Sequence, residues 1–124
     1  PRVHILAHDA STCLYLGYAK IGKVNIGNNV FIGAETVVLP NVSIGDNVVI
    51  GANSTVTSDL KAGGVYAGNP AKYLCSTEDY IKKNKRLMSS RPCYGEEYTT
   101  RSNVSDKMKL QMVQELQEGM GFVK

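Results

Sequence analysis

Histidine is scarce in this chain, with two in 124 residues. Two imidazoles at no ligand spacing are too few for a catalytic zinc of the three-histidine kind, so no metal is expected. Cysteine is also sparse: Cys13, Cys75 and Cys93 are odd in number and lack a C-x-x-C spacing. That argues against a disulfide framework or a metal cluster and for reduced thiols in a cytoplasmic protein. No apolar run approaches the roughly 18 residues of a membrane-spanning helix. The opening "PRVHILAHDAS" has no charged segment leading into an apolar stretch, so no signal peptide is expected. A net charge of +3, spread along the chain, gives no support for nucleic-acid binding. The length fits a single modest core.

What is present is a period of six. Ile26, Ile32, Val38, Ile44, Ile50 and Val56 hold one phase, and Gly27, Gly33, Gly45 and Gly51 each follow one of them. Four places after each aliphatic comes Val30, Thr36, Val42, Val48, Ser54 or Leu60, mostly small or β-branched. Six is neither a helical nor a simple strand period, but it is a multiple of two. Each unit can therefore be a short extended segment plus a corner, and three such sides close one coil. Residues 26–43 laid over 44–61 agree at eight positions, among them Ile26/Ile44, Ile32/Ile50 and Val38/Val56. The expectation is that each leading aliphatic points inward and stacks on its copy one coil away, roughly 4.8 Å along the axis. Gly, and Asn at Asn28, Asn29 and Asn47, suit corners where φ turns positive. A β-sandwich, with strands roughly every 8–12 residues, would not keep this phase over six units.

The stretches "IGNNVFIG", "SIGDNVVIGANSTVTSDL" and "AGNPAK" resemble the hexapeptide-repeat acyltransferases, in particular sugar O-acetyltransferases of the maltose, galactoside and capsular-polysaccharide kind. The resemblance is strong over residues 4–74 and weaker over the tail, where "RPCYGEEYT" is similar to polysaccharide-associated members. It implies an all-β solenoid, a left-handed parallel β-helix, assembled as a homotrimer with active sites between subunits. It also implies acetyl-CoA as the acyl donor and a small-molecule or glycan acceptor. The left hand comes from the family alone, since general chirality rules favour right-handed crossovers.

Upstream of Ile26 the phase breaks. Lys20 occupies the aliphatic slot and Ile21 comes one place late, so residues 1–23 are expected to hold an irregular coil with a loop. Solenoids carry function where they depart from the repeat. Moving an acetyl group from a thioester to a hydroxyl requires removing the hydroxyl proton, a task for an imidazole. His8, in "AHDAS", is the expected general base; it lies three hexads before Ile26, one coil away, as in the enzymes it resembles. His4, on the same face if the segment is extended, is expected to be structural. Asp9 could orient an imidazole or touch the acceptor, although adjacency in an extended chain points it away from His8. Ser11, Thr12 and Cys13 are weaker nucleophile candidates, because direct transfer needs no acyl-enzyme.

A pantetheine arm is thin and amide-bearing, and it needs small side chains where it passes. Ala34 and Ala52 meet that need, and the resemblance implies that their backbones contact the arm. It implies the same donor role for Thr57 and Ser58 near the nucleotide end, with Ser58 standing where relatives often have Lys. Lys72, in "GNPAK", matches the basic position that faces the 3′-phosphate. Phe31 stands where relatives commonly have Trp, lining a pocket or covering a trimer face.

Composition shifts after Leu74, so residues 75–124 are expected to form a helical extension packed on the prism or on a neighbouring subunit. Ser76 and Ser105 can cap two helices, Pro92 stops the first, and Gly119 ends the second. The basic run Lys82, Lys83, Lys85, Arg86 is a solvated face. The leading function is acetyl-CoA-dependent O-acetylation of a sugar hydroxyl in the cytoplasm. The alternatives are another acceptor (serine, an amino sugar nitrogen, a xenobiotic alcohol) or a non-catalytic scaffold.

Overall fold

In the computed structural model, which describes all 124 residues, the six-residue phase fills three narrow sheets. The strands run in chain order as β1 (His4–Ile5), β2 (His8–Asp9), β3 (Lys20–Ile21), β4 (Asn25–Ile26), β5 (Phe31–Ile32), β6 (Val37–Val38), β7 (Ser43–Ile44), β8 (Val49–Ile50) and β9 (Thr55–Val56). They are followed by β10 (Gly64–Ala67) and β11 (Lys72–Ser76), while a short helix α1 (Cys13–Leu16) lies between β2 and β3. The parallel pairs join Ile26 to Ile44, Ile32 to Ile50 and Val38 to Val56. Each pair is one turn of three hexads apart, as the repeat requires. The chain divides into two units, Pro1–Tyr80 and Ile81–Lys124, and each is described by itself.

Inside the first unit Val38, Val42, Ile44, Val48, Ile50 and Val56 are buried together. Two buried hydroxyls sit among them, and both are satisfied: Thr36 Oγ1 and Ser54 Oγ donate to the Gly51 carbonyl at 3.1 and 2.7 Å. The corners fall where Asn29, Glu35, Asn41, Asn47 and Asn53 take φ of 54–64°, one at every sixth position. Asparagine tolerates this left-handed conformation, which explains its recurrence. The repeat glycines do something else. A side chain at Gly45 would put its Cβ 2.5 Å from the Ala62 amide nitrogen of the next turn. These glycines admit the neighbouring backbone; they do not supply positive φ, and the expectation that they do is corrected.

Two further expectations need amendment. Ile26 is 38% exposed although it holds the same phase as the buried Ile50, because the sheet of β4 and β7 has no strand beyond β4. The first turn is also out of register. β1 pairs with β6 through His4↔Val37 and Ile5↔Val38, nearly twice as far apart along the chain as the partners in the other parallel pairs of the stack. The surplus chain leaves the stack as an antiparallel arm, in which His8 pairs with Ile21 and Asp9 with Lys20. His8 therefore does not stack one turn above Ile26, and it does not share a face with His4, which stays in the ladder. The three-hexad spacing is produced by the looped-out arm, not by the coil. At the other end β10 parallels β8 and then folds back antiparallel on β11, closing the stack with a hairpin.

The boundary between the units falls within helix α2 (Thr77–Met88). Ser76 Oγ accepts the Asp79 N–H at 3.0 Å at its start. The second unit contains β12 (Cys93–Tyr94), α3 (Asp106–Glu115) and β13 (Phe122–Val123), with β12 and β13 parallel. Ser105 Oγ accepts the Met108 N–H at 3.3 Å as the cap of α3. Arg91 ties the far end of that helix down, donating from Nε to the Met120 carbonyl and from Nη2 to the Gly119 carbonyl, both at 2.8 Å. Buried Tyr94 donates its hydroxyl to Glu115 Oε2 at 2.8 Å. Burial first, then that carboxylate, pushes the phenol up to about 12. The Gln111 amide, followed by the Tyr94 hydroxyl, holds the Glu115 carboxyl below its ordinary value. A depressed carboxyl stabilises the fold fully above the ordinary carboxylate range and loses that contribution as pH falls through its folded value. Glu115→Gln should accordingly flatten the acid side of this unit's stability profile, read by Tyr94 and Tyr98 absorbance in an acid titration. An unchanged profile would show that the pair contributes nothing.

Candidate active site

The stack holds register up to Leu6, whose N–H donates to the Val38 carbonyl at 2.9 Å, and regains it at Asn25, whose N–H donates to the Val42 carbonyl at 3.0 Å; the Gly22 N–H donates to the Ala7 carbonyl at 3.0 Å across the root of the arm. Between these points the arm projects. Its tip is a 3₁₀ turn (Ala10–Thr12) running into α1. Gly17 at φ 70° and the Thr12 hydroxyl, bonded to the Tyr18 carbonyl at 2.6 Å, close it. His8 stands at the base of the arm, exposed, and no side chain of the protein bonds its imidazole. Both ring nitrogens are left free to engage a ligand.

Asp9 does not orient that imidazole. Its Oδ1 accepts the Ser11 N–H at 2.8 Å, capping the 3₁₀ turn, and its Oδ2 lies 2.6 Å from Lys20 Nζ on the returning strand. Lys20 first, then the Ser11 N–H, holds the carboxyl well below the usual carboxylate range, so it is ionised throughout the neutral region.

A hollow of about 460 Å³ opens beside the arm. Asp9, Lys20 and Ile21 of the arm line one side, and Leu39, Pro40, Asn41 and Thr57 of the stack line the other. Thr57 is thus brought to Asp9, with exposed Ser58 next to it. Ala34 and Ala52 lie elsewhere, at the corner after β5 and β8, where the Ala34 carbonyl accepts the Asn53 N–H at 2.8 Å. Lys72 belongs with them: it pairs with Ala67, which packs one turn on from Gly51. The sheet of β1, β6 and β9 runs between the two groups. Phe31, on β5, is 63% exposed and joins neither.

Lys20 and Asn41 were not expected here. The signal for Lys20 was its own misfit, a cation in an aliphatic slot with Ile21 one place late. Nothing local marked Asn41, because its place in the hollow depends on where the arm returns. No three His, Cys, Asp or Glu side chains converge as a metal site, and no helix is long and apolar enough to cross a membrane. His8 itself does not line the hollow, but its chain neighbour Asp9 and its cross-strand partner Ile21 do, and an unengaged imidazole can take a proton from a bound hydroxyl or amine.

Comparison with known proteins adds to this geometry. Residues 23–58 match the family model described as bacterial transferase hexapeptide (six repeats). Protein CapG of Staphylococcus aureus is 46% identical over 85 residues, an overlap of 65% of this chain and 49% of CapG. Among solved structures, a galactoside acetyltransferase in complex with coenzyme A superposes with a TM-score of 0.59 at 31% identity, covering 86% of this chain and 48% of that one. A mutant of AntD, an N-acyltransferase from Bacillus cereus in complex with dTDP and coenzyme A, superposes at 0.56 with 28% identity, covering 72% and 54%. The chain spans about half the length of these relatives.

Proposed function

We propose, from the bacterial transferase hexapeptide repeats matched at residues 23–58, that the chain moves an acetyl group from acetyl-CoA to a hydroxyl of a sugar or polysaccharide precursor. The observation that carries this reading is His8, held at the base of an arm with neither ring nitrogen engaged, while its chain neighbour Asp9 and its cross-strand partner Ile21 line a hollow of about 460 Å³. His8 takes the proton of the acceptor hydroxyl as its oxygen attacks the thioester carbonyl. The C–S bond breaks as the tetrahedral intermediate collapses, and the imidazolium returns the proton to the departing thiolate. Atoms and charge balance without an acyl-enzyme. The small residues Ala34 and Ala52 would flank the pantetheine arm and Lys72 would face the donor's 3′-phosphate; Thr57 and Ser58 stand with the hollow beside the arm, so they would meet the nucleotide end only of a donor held by a neighbouring copy. Phe31 would border the acceptor.

Within one chain Ala34, Ala52 and Lys72 stand across a sheet from His8. A donor lying along the first group meets a base only if a neighbouring copy presents its own arm. This supports an assembly of copies, which we read as a homotrimer with three sites between subunits, its coils left-handed as the resemblance implies. The arm tip favours it too, since Leu14, Tyr15, Leu16 and Tyr18 are 66–84% exposed and need a covering surface. A CoA donor assigns the reaction to the cytoplasm.

The AntD likeness favours one second reading, in which the acceptor is an amino sugar nitrogen. The same base and donor would serve. Thiol release from acetyl-CoA, measured across a panel of sugar alcohols and amino sugars, should show turnover with a hydroxyl acceptor. Turnover with amines alone would favour the second reading. Failure to bind CoA by calorimetry would leave a scaffold and overturn both.

A further inference from the structure

We propose that Asp9 and Lys20 act as positioning residues, a clasp that fixes the arm so that His8 stays at its working position. The catalytic part of this rests on the function proposed above; the mechanical part does not.

Within one chain the arm has little else to hold it. Its ladder is two residue pairs long, and an isolated two-stranded hairpin is marginal in water. Its tip side chains Leu14, Tyr15, Leu16 and Tyr18 are largely exposed, so no apolar packing within the protein anchors them. Asp9 joins three separate parts of the arm: the outgoing strand that carries it, the Ser11 N–H at the tip (2.8 Å) and Lys20 on the return (2.6 Å). It adjoins His8 in sequence, and Lys20 adjoins Ile21, the residue opposite His8. The clasp therefore sits next to the base on both strands. It also lines the hollow where an acceptor would lie, so loosening it shifts the base and the wall together. The Lys20 side chain is 59% exposed, and an exposed ion pair adds little to overall stability. Its effect here is geometric. A displacement of about 1 Å at a reacting group can cost on the order of a hundredfold in rate.

Asp9→Asn is the informative change, because the amide oxygen still accepts the Ser11 N–H and only the charge facing Lys20 is lost. In the full chain, Asp9→Asn and Lys20→Met should each lower kcat by about tenfold with the KM for acetyl-CoA within about twofold. The double variant should lose no more than either single one, as coupled residues do. Independently of any acceptor, both variants should speed amide hydrogen exchange at Gly22, whose N–H closes the root of the arm. Gly33, bonded within the stack, should exchange unchanged and serves as the folding control. If Gly22 exchanges as slowly in both variants as in the parent protein, the clasp does not hold the arm and the proposal is overturned. If exchange accelerates and His8→Ala abolishes turnover while kcat is unaffected by Asp9→Asn, the positioning role fails although the proposed function stands. If exchange accelerates in a protein that turns over no acceptor, the proposed function fails and the clasp survives as a mechanical element.

Discussion

Replacing His8 by alanine should lower turnover at least about a hundredfold, since a positioned general base contributes roughly 10²–10⁴-fold. The change should leave the fold, any assembly and donor affinity as they were. His8 is exposed and its imidazole bonds to nothing in the protein, so removing it breaks no contact that stabilises the stack. Its short ladder is made by the backbone and survives alanine. The check is steady-state thiol release at saturating acetyl-CoA, with thermal unfolding and sedimentation recorded on the same samples. Turnover equal to the parent protein's would remove His8 from the chemistry and, with it, the observation on which the transferase mechanism stands.

The second large effect is on stability, and it separates two residues that the repeat makes equivalent. Ile50→Ala should cost about 2–5 kcal/mol, the usual range for an isoleucine truncated in a packed core. Ile26→Ala should cost distinctly less, because part of that side chain is already in water. Ile50 is fully buried, with Ile32 in register on one side and Tyr66 on the other, so neighbours on both sides would border the void. Ile26 has Ile44 on one side and no strand on the other. Denaturant midpoints at one protein concentration decide the matter. Equal losses at the two positions would mean that Ile26 is covered in solution, as a neighbouring copy or an additional strand would cover it.

Much of the stack was legible because its cause is local and repeated. An inward aliphatic at every sixth position, with an asparagine at many of the corners, calls for a coil of three short sides, and the pairs one coil apart follow from it. The glycines were misread because their reason is not local. Their own φ is ordinary, and what requires them is the backbone of the next turn, which the sequence shows only as another copy of itself.

The candidate site was legible only in its residue types. An imidazole just upstream of a phase break is a visible departure from the repeat, and the misplaced Lys20 announced that the chain leaves the coil there. Where it leaves was not visible: a count of three hexads from His8 to Ile26 fits a regular coil and a looped-out arm equally well, since spacing records length along the chain and not its path. The hydrogen bond from Gly22 to Ala7 joins residues that the sequence separates.

By itself, then, the order of amino acids determined the period, the inward face and the stock of chemical groups, because each depends on neighbours within one unit. Tertiary structure alone decided that His8 stands on an arm, that Asp9 faces Lys20 instead of the imidazole, and that Ala34, Ala52 and Lys72 lie across a sheet from them. Those are contacts between residues far apart in the chain, and their energies depend on which turns come to lie against each other.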